Sequence, residues 1–181
     1  MSRYQVFHPD HESKGQTLID LANAIDAEEF LPILEKHGLT SIDPDSWYPQ
    51  QRQLDALSEI AELSGGMYDL VSLGLKMAET AAMPPQFETL SLQEVLMHGD
   101  IAYRMTDRGT DPGDVKAEIL NDKHFRITLR VPDPDDLWYG IVYGYMRRFS
   151  PKGTRFTVYY DQDIPRREQG GKVTVIHAVL D

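Results

Sequence analysis

The chain has 181 residues, 41% of them hydrophobic and 26% charged, which suits a single domain with a sizeable core. A formal net charge of −11 argues against nucleic acid as a partner, because phosphate contact needs a basic surface. No cysteine is present, which excludes disulfides and thiolate metal sites, and no segment approaches the roughly 20 apolar residues of a membrane helix, so a cytoplasmic protein without membrane insertion is expected.

Residues 1–16 are polar and read as an N-terminal arm, without the apolar run of a signal peptide. Within it, His8-Pro9-Asp10-His11-Glu12 could offer a metal two imidazoles and a carboxylate, but nothing fixes their geometry, so a solvated tail is the better reading. A helix starts near Thr17, with Leu18, Leu21, Ala22 and Ile25 on one face. A second runs from Ala27 to His37 and stops at Gly38. The segment Ile42-Asp43-Pro44-Asp45-Ser46-Trp47-Tyr48-Pro49 reads as a loop anchored by its two aromatics. A third helix spans 49–63 and ends at Ser64-Gly65-Gly66.

The helix expected over 67–82 gathers Asp69, Ser72, Lys76, Glu79 and Thr80 into one polar strip and is apolar elsewhere, so it should be central. Met83-Pro84-Pro85 stops it, and a further helix is expected over 90–105. Beyond residue 113 the period changes to two. Val115, Ala117 and Ile119 alternate with polar residues, as do Phe125, Ile127, Leu129 and Val131, which predicts a hairpin with one buried face.

A helix over 137–149 follows, with an unusually wide apolar face made of Trp138, Tyr139, Ile141, Val142, Tyr143, Tyr145, Met146 and Phe149. Asp135 and Asp136 at its start and Arg147 and Arg148 at its end suit the helix dipole. Only Gly140, Gly144 and the two arginines are left for another face, so the helix should be covered from two sides. A strand with Phe156, Val158 and Tyr160 inward comes next, and a last strand, 172–180, is apolar on both faces. The fold class is therefore α+β: a helical half over 17–108, then a ββαββ half over 114–181 whose four-stranded antiparallel sheet packs on helices.

Several stretches together resemble the 4-vinyl reductase and haem-NO-binding-like domains, the nitric-oxide-signalling and Golgi-transport ligand-binding fold. They are the loop 42–49, Leu70-Val71-Ser72-Leu73-Gly74-Leu75-Lys76, Trp138-Tyr139-Gly140-Ile141-Val142-Tyr143-Gly144 with Arg147-Arg148-Phe149, and Gln169-Gly170-Gly171. The resemblance spreads over residues 40–180 as a pattern of spacings. Related sequences carry two cysteines around the last glycine turn, where this chain has Arg166 and Thr174, so a thiol or zinc role is absent. Haem-NO sensors use a Tyr-x-Ser-x-Arg element beneath the haem propionates. The nearest segment here, residues 103–108, lacks it, and no cofactor is expected.

The resemblance implies a ligand pocket between the helices 67–82 and 137–149 and the sheet, with Tyr68, Met77, Tyr103, Trp138, Tyr139, Tyr143 and Arg166 as candidate ligand-binding residues. The same aromatic inventory would also serve as ordinary core. No P-loop, nucleophile elbow or dinucleotide glycine pattern occurs, so the expected function is non-catalytic, sensory binding of an apolar or mostly apolar small molecule by a homodimer that pairs through its N-terminal helices. Two alternatives stand beside it: a factor acting on tetrapyrrole side chains, and a pocketless adaptor. In the adaptor reading the contact surface would be a basic sheet face with Lys116, His124, Arg126, Arg130 and Arg155. His177, on the last strand with Val175 and Val179, reads as a satisfied core or boundary histidine.

Overall fold

The centre of the molecule is a contact between two helices. α7 (Asp135–Phe149) lies against α4 (Leu70–Thr80) so closely that a methyl group built on Gly74 would sit 2.0 Å from the Leu137 carbonyl oxygen. One built on Gly140 would sit 2.0 Å from the Val71 carbonyl oxygen. Backbone meets backbone at this crossing, which only glycine permits. A computed structural model describes residues 2–25, 27–63, 70–81 and 89–181. The expected helix start at Met67-Tyr68-Asp69 and the stops at residues 64–66 and 83–85 lie outside these.

Around this pair the chain builds two halves. The first contains β1 (Glu12–Lys14), α1 (Gly15–Ala24), α2 (Ala27–Lys36), β2 (Trp47–Pro49) and α3 (Gln51–Leu63). After α4 come α5 (Leu92–Met97), α6 (Gly99–Thr106) and β3 (Asp107–Arg108). The strands β2, β1 and β3 form a small antiparallel sheet with β1 in the middle. The first 16 residues, expected as an arm, are thus part of the body: Tyr4 and His11 are buried, and β1 holds two other segments together. Period-two patterning could not disclose strands of two and three residues.

The single helix expected over 90–105 is two, α5 and α6, divided at His98. α5 opens with a capping box in which the Ser91 hydroxyl accepts from the Glu94 N–H and the Glu94 carboxylate accepts from the Ser91 N–H.

The second half contains β4 (Asp114–Asn121), β5 (His124–Arg130), α7, β6 (Phe156–Tyr160) and β7 (Thr174–Leu180). The sheet order is β4-β5-β7-β6, antiparallel throughout, in the ββαββ connectivity that the alternation predicted. Phe125, Ile127, Leu129, Val158, Ile176 and Ala178 face Val142 and Met146 of α7 and make one core. Leu18, Leu21, Leu54, Leu57, Ile60, Leu73 and Leu137 make the other. α7 contributes to both, which accounts for its width of apolar surface. No side chain of its own caps its start. A 3-10 turn, Arg167–Gln169, brings Glu168 to accept from the Asp135 N–H at 2.7 Å, and the Asp135 carboxylate accepts from the Glu168 N–H and the Thr174 hydroxyl in return.

On the outer face of the sheet the basic residues are neutralised. Arg126 pairs with Glu118, Arg130 with Asp111, Lys116 with Asp114 and Arg155 with Asp181. His177 is buried there under the Tyr159 ring and hydrogen-bonds both Asp161 and His124, a satisfied histidine as the sequence suggested.

A Cβ on Gly144 would lie 2.6 Å from the Ala78 Cβ and 3.0 Å from the Leu75 carbonyl oxygen. Gly144→Ala is expected to destabilise the protein by roughly 1–3 kcal/mol through overpacking, where an open helix face would instead gain up to about 1 kcal/mol. Gly140→Ala, which meets backbone at closer range, should cost more. Denaturation midpoints of wild type and the two variants check both the sign and the order.

Candidate functional site

Beside the α4–α7 contact the helices diverge. At 100° per residue, Gly140 and Gly144 of α7 point to α4, Tyr139, Val142, Tyr143 and Met146 to the sheet, and Trp138, Ile141 and Tyr145 to a third direction. That third strip forms one wall of a cavity of about 310 Å³. The other walls come from α1 (Gln16, Thr17, Asp20), α3 and the residue before it (Gln53, Gln50), α4 (Met77, Ala78) and the α5–α6 segment (Val95, Gly99, Ala102, Tyr103, Met105). The volume falls at the lower end of the range for small-molecule sites.

The walls are mostly apolar and one end is polar. Tyr103 and Trp138 meet edge to face, their centroids 5.9 Å apart. The Tyr103 hydroxyl is occupied, donating to the Pro112 carbonyl at 2.6 Å, and burial raises its pKa strongly. The Tyr145 hydroxyl hydrogen-bonds no group among the described residues; burial raises its pKa too, and the nearby Asp20 carboxylate adds to the rise.

The polar end is a buried network reaching from β1 to the approach to α7. His11 Nε2 lies 2.9 Å from Asp107 Oδ1, which also accepts from the Ser13 hydroxyl at 2.7 Å, while Asp107 Oδ2 accepts from Thr106 at 2.9 Å. The Ser13 hydroxyl also touches Gln50 Oε1. Gln50 Nε2 and Gln53 Nε2 both donate to Asp133 Oδ1, at 3.0 and 3.1 Å. Gln53 Oε1 is buried without a partner among the described residues, and so is His11 Nδ1. Asp107 and Asp133 border the cavity together with Asp20, and no lysine, arginine or histidine is among the described residues that do so.

Of the residues proposed from sequence, Met77, Tyr103 and Trp138 border the cavity. Tyr68 lies outside the described residues. Tyr139 donates from its hydroxyl to the Val158 carbonyl at 2.5 Å, Tyr143 packs on Phe156, and Arg166 pairs with Asp136 across the Tyr160 ring, all on the sheet side of α7. Sequence reasoning treated α7 as one broad apolar surface and so did not divide its two aromatic faces. It passed over Ser13, Gln50, Gln53, Asp107 and Asp133 because they are polar, spread over the chain and converge only through β1 and β3. Asp133 between two prolines, before a helix already supplied with Asp135 and Asp136, was the one local signal.

Asp133 has its pKa raised from the ordinary 3.8 to about 6, chiefly by burial and then by the Asp107 charge, with His11 opposing. The folded protein therefore holds this proton to higher pH than the unfolded chain does. Relative to an uncharged residue, the stability contributed here is full below about pH 4 and declines through pH 6, by roughly 3 kcal/mol in all. The difference in unfolding free energy between wild type and Asp133→Asn, followed from pH 4 to 7, is expected to fall with rising pH. A difference that stays flat or rises would contradict the buried-carboxylate assignment.

No protein-family model matches the chain, and no curated protein is similar to it in sequence. Solved structures are similar to it in three dimensions. An oxygen-binding H-NOX domain related to soluble guanylate cyclases, in its oxygen complex, superposes with a TM-score of 0.68 at 15% identity, over 92% of each chain. An H-NOX protein from S. oneidensis in the Fe(II) ligation state gives 0.68 at 12% identity, over 93% of this chain and 96% of the other. A variant of the T. tengcongensis H-NOX gives 0.65 at 13% identity, over 92% and 94%. Likenesses at 12–15% identity establish architecture alone, and the architecture of this chain is that of the H-NOX domains.

Proposed function

We propose that this chain is a non-catalytic small-molecule-binding domain of sensory type, whose ligand is mostly apolar and occupies the cavity beside α7. The observation that carries the reading is the cavity itself: about 310 Å³, walled by Met77, Val95, Ala102, Trp138 and Ile141, with buried polar groups gathered at one end. Pockets of this make-up hold a ligand by apolar contact and orient it by a few polar atoms. The H-NOX architecture supports the sensory part of the proposal.

Several of the similar structures concern haem proteins, so the fit of haem is a direct question. Haem iron requires an axial side chain, and the two propionates favour cationic or donor groups. None of the six histidines borders the cavity; His98, at the junction of α5 and α6, hydrogen-bonds through Nδ1 to the Glu94 carbonyl. Tyr103 is engaged with Pro112, and the Tyr145 phenol is held away from the phenolate a metal would need. Asp20, Asp107 and Asp133 would face the propionates with charges of the same sign. Of the described side chains bordering the cavity, the thioethers of Met77 and Met105 are left as axial donors with no imidazole beside them, and the residues present fit haem poorly. Reconstitution with hemin is expected to give no stoichiometric Soret band; a stable one, lost on mutating His98 or His177, would reverse this conclusion.

Pairing of two copies through the N-terminal helices and a cytoplasmic location belong to the same proposal; among the described residues no helix is long and apolar enough to cross a membrane. The ligand reading is tested with native mass spectrometry after gentle extraction, and with thermal shifts against a panel of apolar small molecules. A bound mass or a ligand that raises Tm is expected, and both should disappear in Ala102→Phe, which fills the cavity from α6. Wild type and variant behaving alike towards every compound would defeat the proposal.

A further inference from the structure

Apart from the Tyr145 hydroxyl on the α7 wall, the polar atom that the cavity leaves without a partner among the described residues is an acceptor. Gln53 is 3% exposed, its Nε2 is committed to Asp133, and its Oε1 is buried with no donor among the described residues. The carboxylate it serves has both amide donors on one oxygen, Oδ1, and no side chain donates to Oδ2 among the described residues. One unpartnered acceptor, Gln53 Oε1, therefore stands beside the Asp133 carboxylate at the polar end of an otherwise apolar space. An orphaned buried acceptor costs free energy until a donor reaches it.

The surrounding charge has one sign. Asp20 stands on the α1 wall, where the Gln16 amide donates to it, and its pKa is raised by burial. Asp107 is offset by His11. Arg167 reaches the Asp133 main-chain carbonyl at 3.4 Å, but it is not among the residues that border the cavity, and its guanidinium rests on Phe7. A ligand with a carboxylate or phosphate head would meet repulsion here. One that brings N–H donors and a positive charge would satisfy the Gln53 acceptor and offset the buried Asp133 beside it.

We propose that the cavity selects a cationic amphiphile: a small molecule with a primary or secondary ammonium head, seated at Asp133 and Gln53, and an apolar or aromatic body lying along Trp138, Ile141 and Met77. This rests on the ligand-binding reading above and gives it a chemical class. Head chemistry and cavity occupancy are separable, because an uncharged analogue with the same body reports on the cavity alone.

The test uses three probes that share one body: 4-phenylbutylamine, 4-phenylbutan-1-ol and 4-phenylbutyrate. Each is titrated calorimetrically at pH 7.5 into wild type, Asp133→Asn and Ala102→Phe. The amine is expected to bind wild type at least about tenfold more tightly than the alcohol, the carboxylate most weakly, and Ala102→Phe to bind none. In Asp133→Asn the preference for amine over alcohol should collapse. An alcohol or carboxylate that binds wild type as tightly as the amine, with binding lost in Ala102→Phe, overturns this proposal and leaves the ligand-binding reading standing. Binding of none of the three to wild type overturns both. Should Asp133→Asn fail to fold, the ranking of the three heads on wild type decides by itself.

Discussion

Everything else in this structure is arranged by the approach of two backbones. Gly74 of α4 faces the Leu137 carbonyl, and Gly140 of α7 faces the Val71 carbonyl, so the helices touch without intervening side chains. Such proximity puts Leu73 and Leu137 into the N-terminal core while Val142 and Met146, on the opposite flank of the same helix, complete the core against the sheet. Two cores that would otherwise be separate layers share one helix. Packing at near-crystalline density makes that arrangement intolerant of even one added methyl group on the glycine strip.

The cavity follows from the same contact. A helix pressed by a glycine strip against one neighbour and by an aromatic strip against a sheet has a third face to cover, and only bulky residues on α1 and α6 could fill it. At those positions the chain instead has Thr17, Gly99 and Ala102, with small Ala78 on α4. Trp138 and Ile141 therefore look into a space. Its polar end is reached by the small sheet: β1 delivers His11 and Ser13, β3 delivers Asp107, and the residues after β2 deliver Gln50 and Gln53. Burying that many polar atoms is tolerable because each donor of the network finds a carboxylate or amide oxygen.

Much of this was legible in the sequence. The period-two run around Ile127 and the doubly apolar run around Ile176 placed the sheet, and the width of the 137–149 apolar face announced a helix covered twice. Gly140 and Gly144, left over for another face once the apolar residues were placed, are where α4 packs. What stayed hidden was non-local. A strand of three residues has no period to detect, so β1 looked like an arm and His11 like a solvated side chain. Polar residues carry no core signal, and their convergence depends on pairings between segments as much as 96 positions apart, such as His11 with Asp107. Local propensity contains nothing about contacts of that range.

The likeness to H-NOX domains and the poor fit of haem are compatible because architecture and site chemistry vary independently. The α4–α7 crossing and the four-stranded sheet need small residues at three glycines and apolar residues at alternate strand positions, and neither requirement reaches the cavity end where Gln50, Gln53, Asp107 and Asp133 meet. Substitutions there change the sign of the field a ligand meets without disturbing either core. With no cation bordering the cavity among the described residues and three aspartates doing so, that field is negative, and a buried acceptor, Gln53 Oε1, stands in it. The chemistry of the cavity is thus set by a handful of polar side chains held by the small sheet, and the scaffold that positions them is indifferent to it.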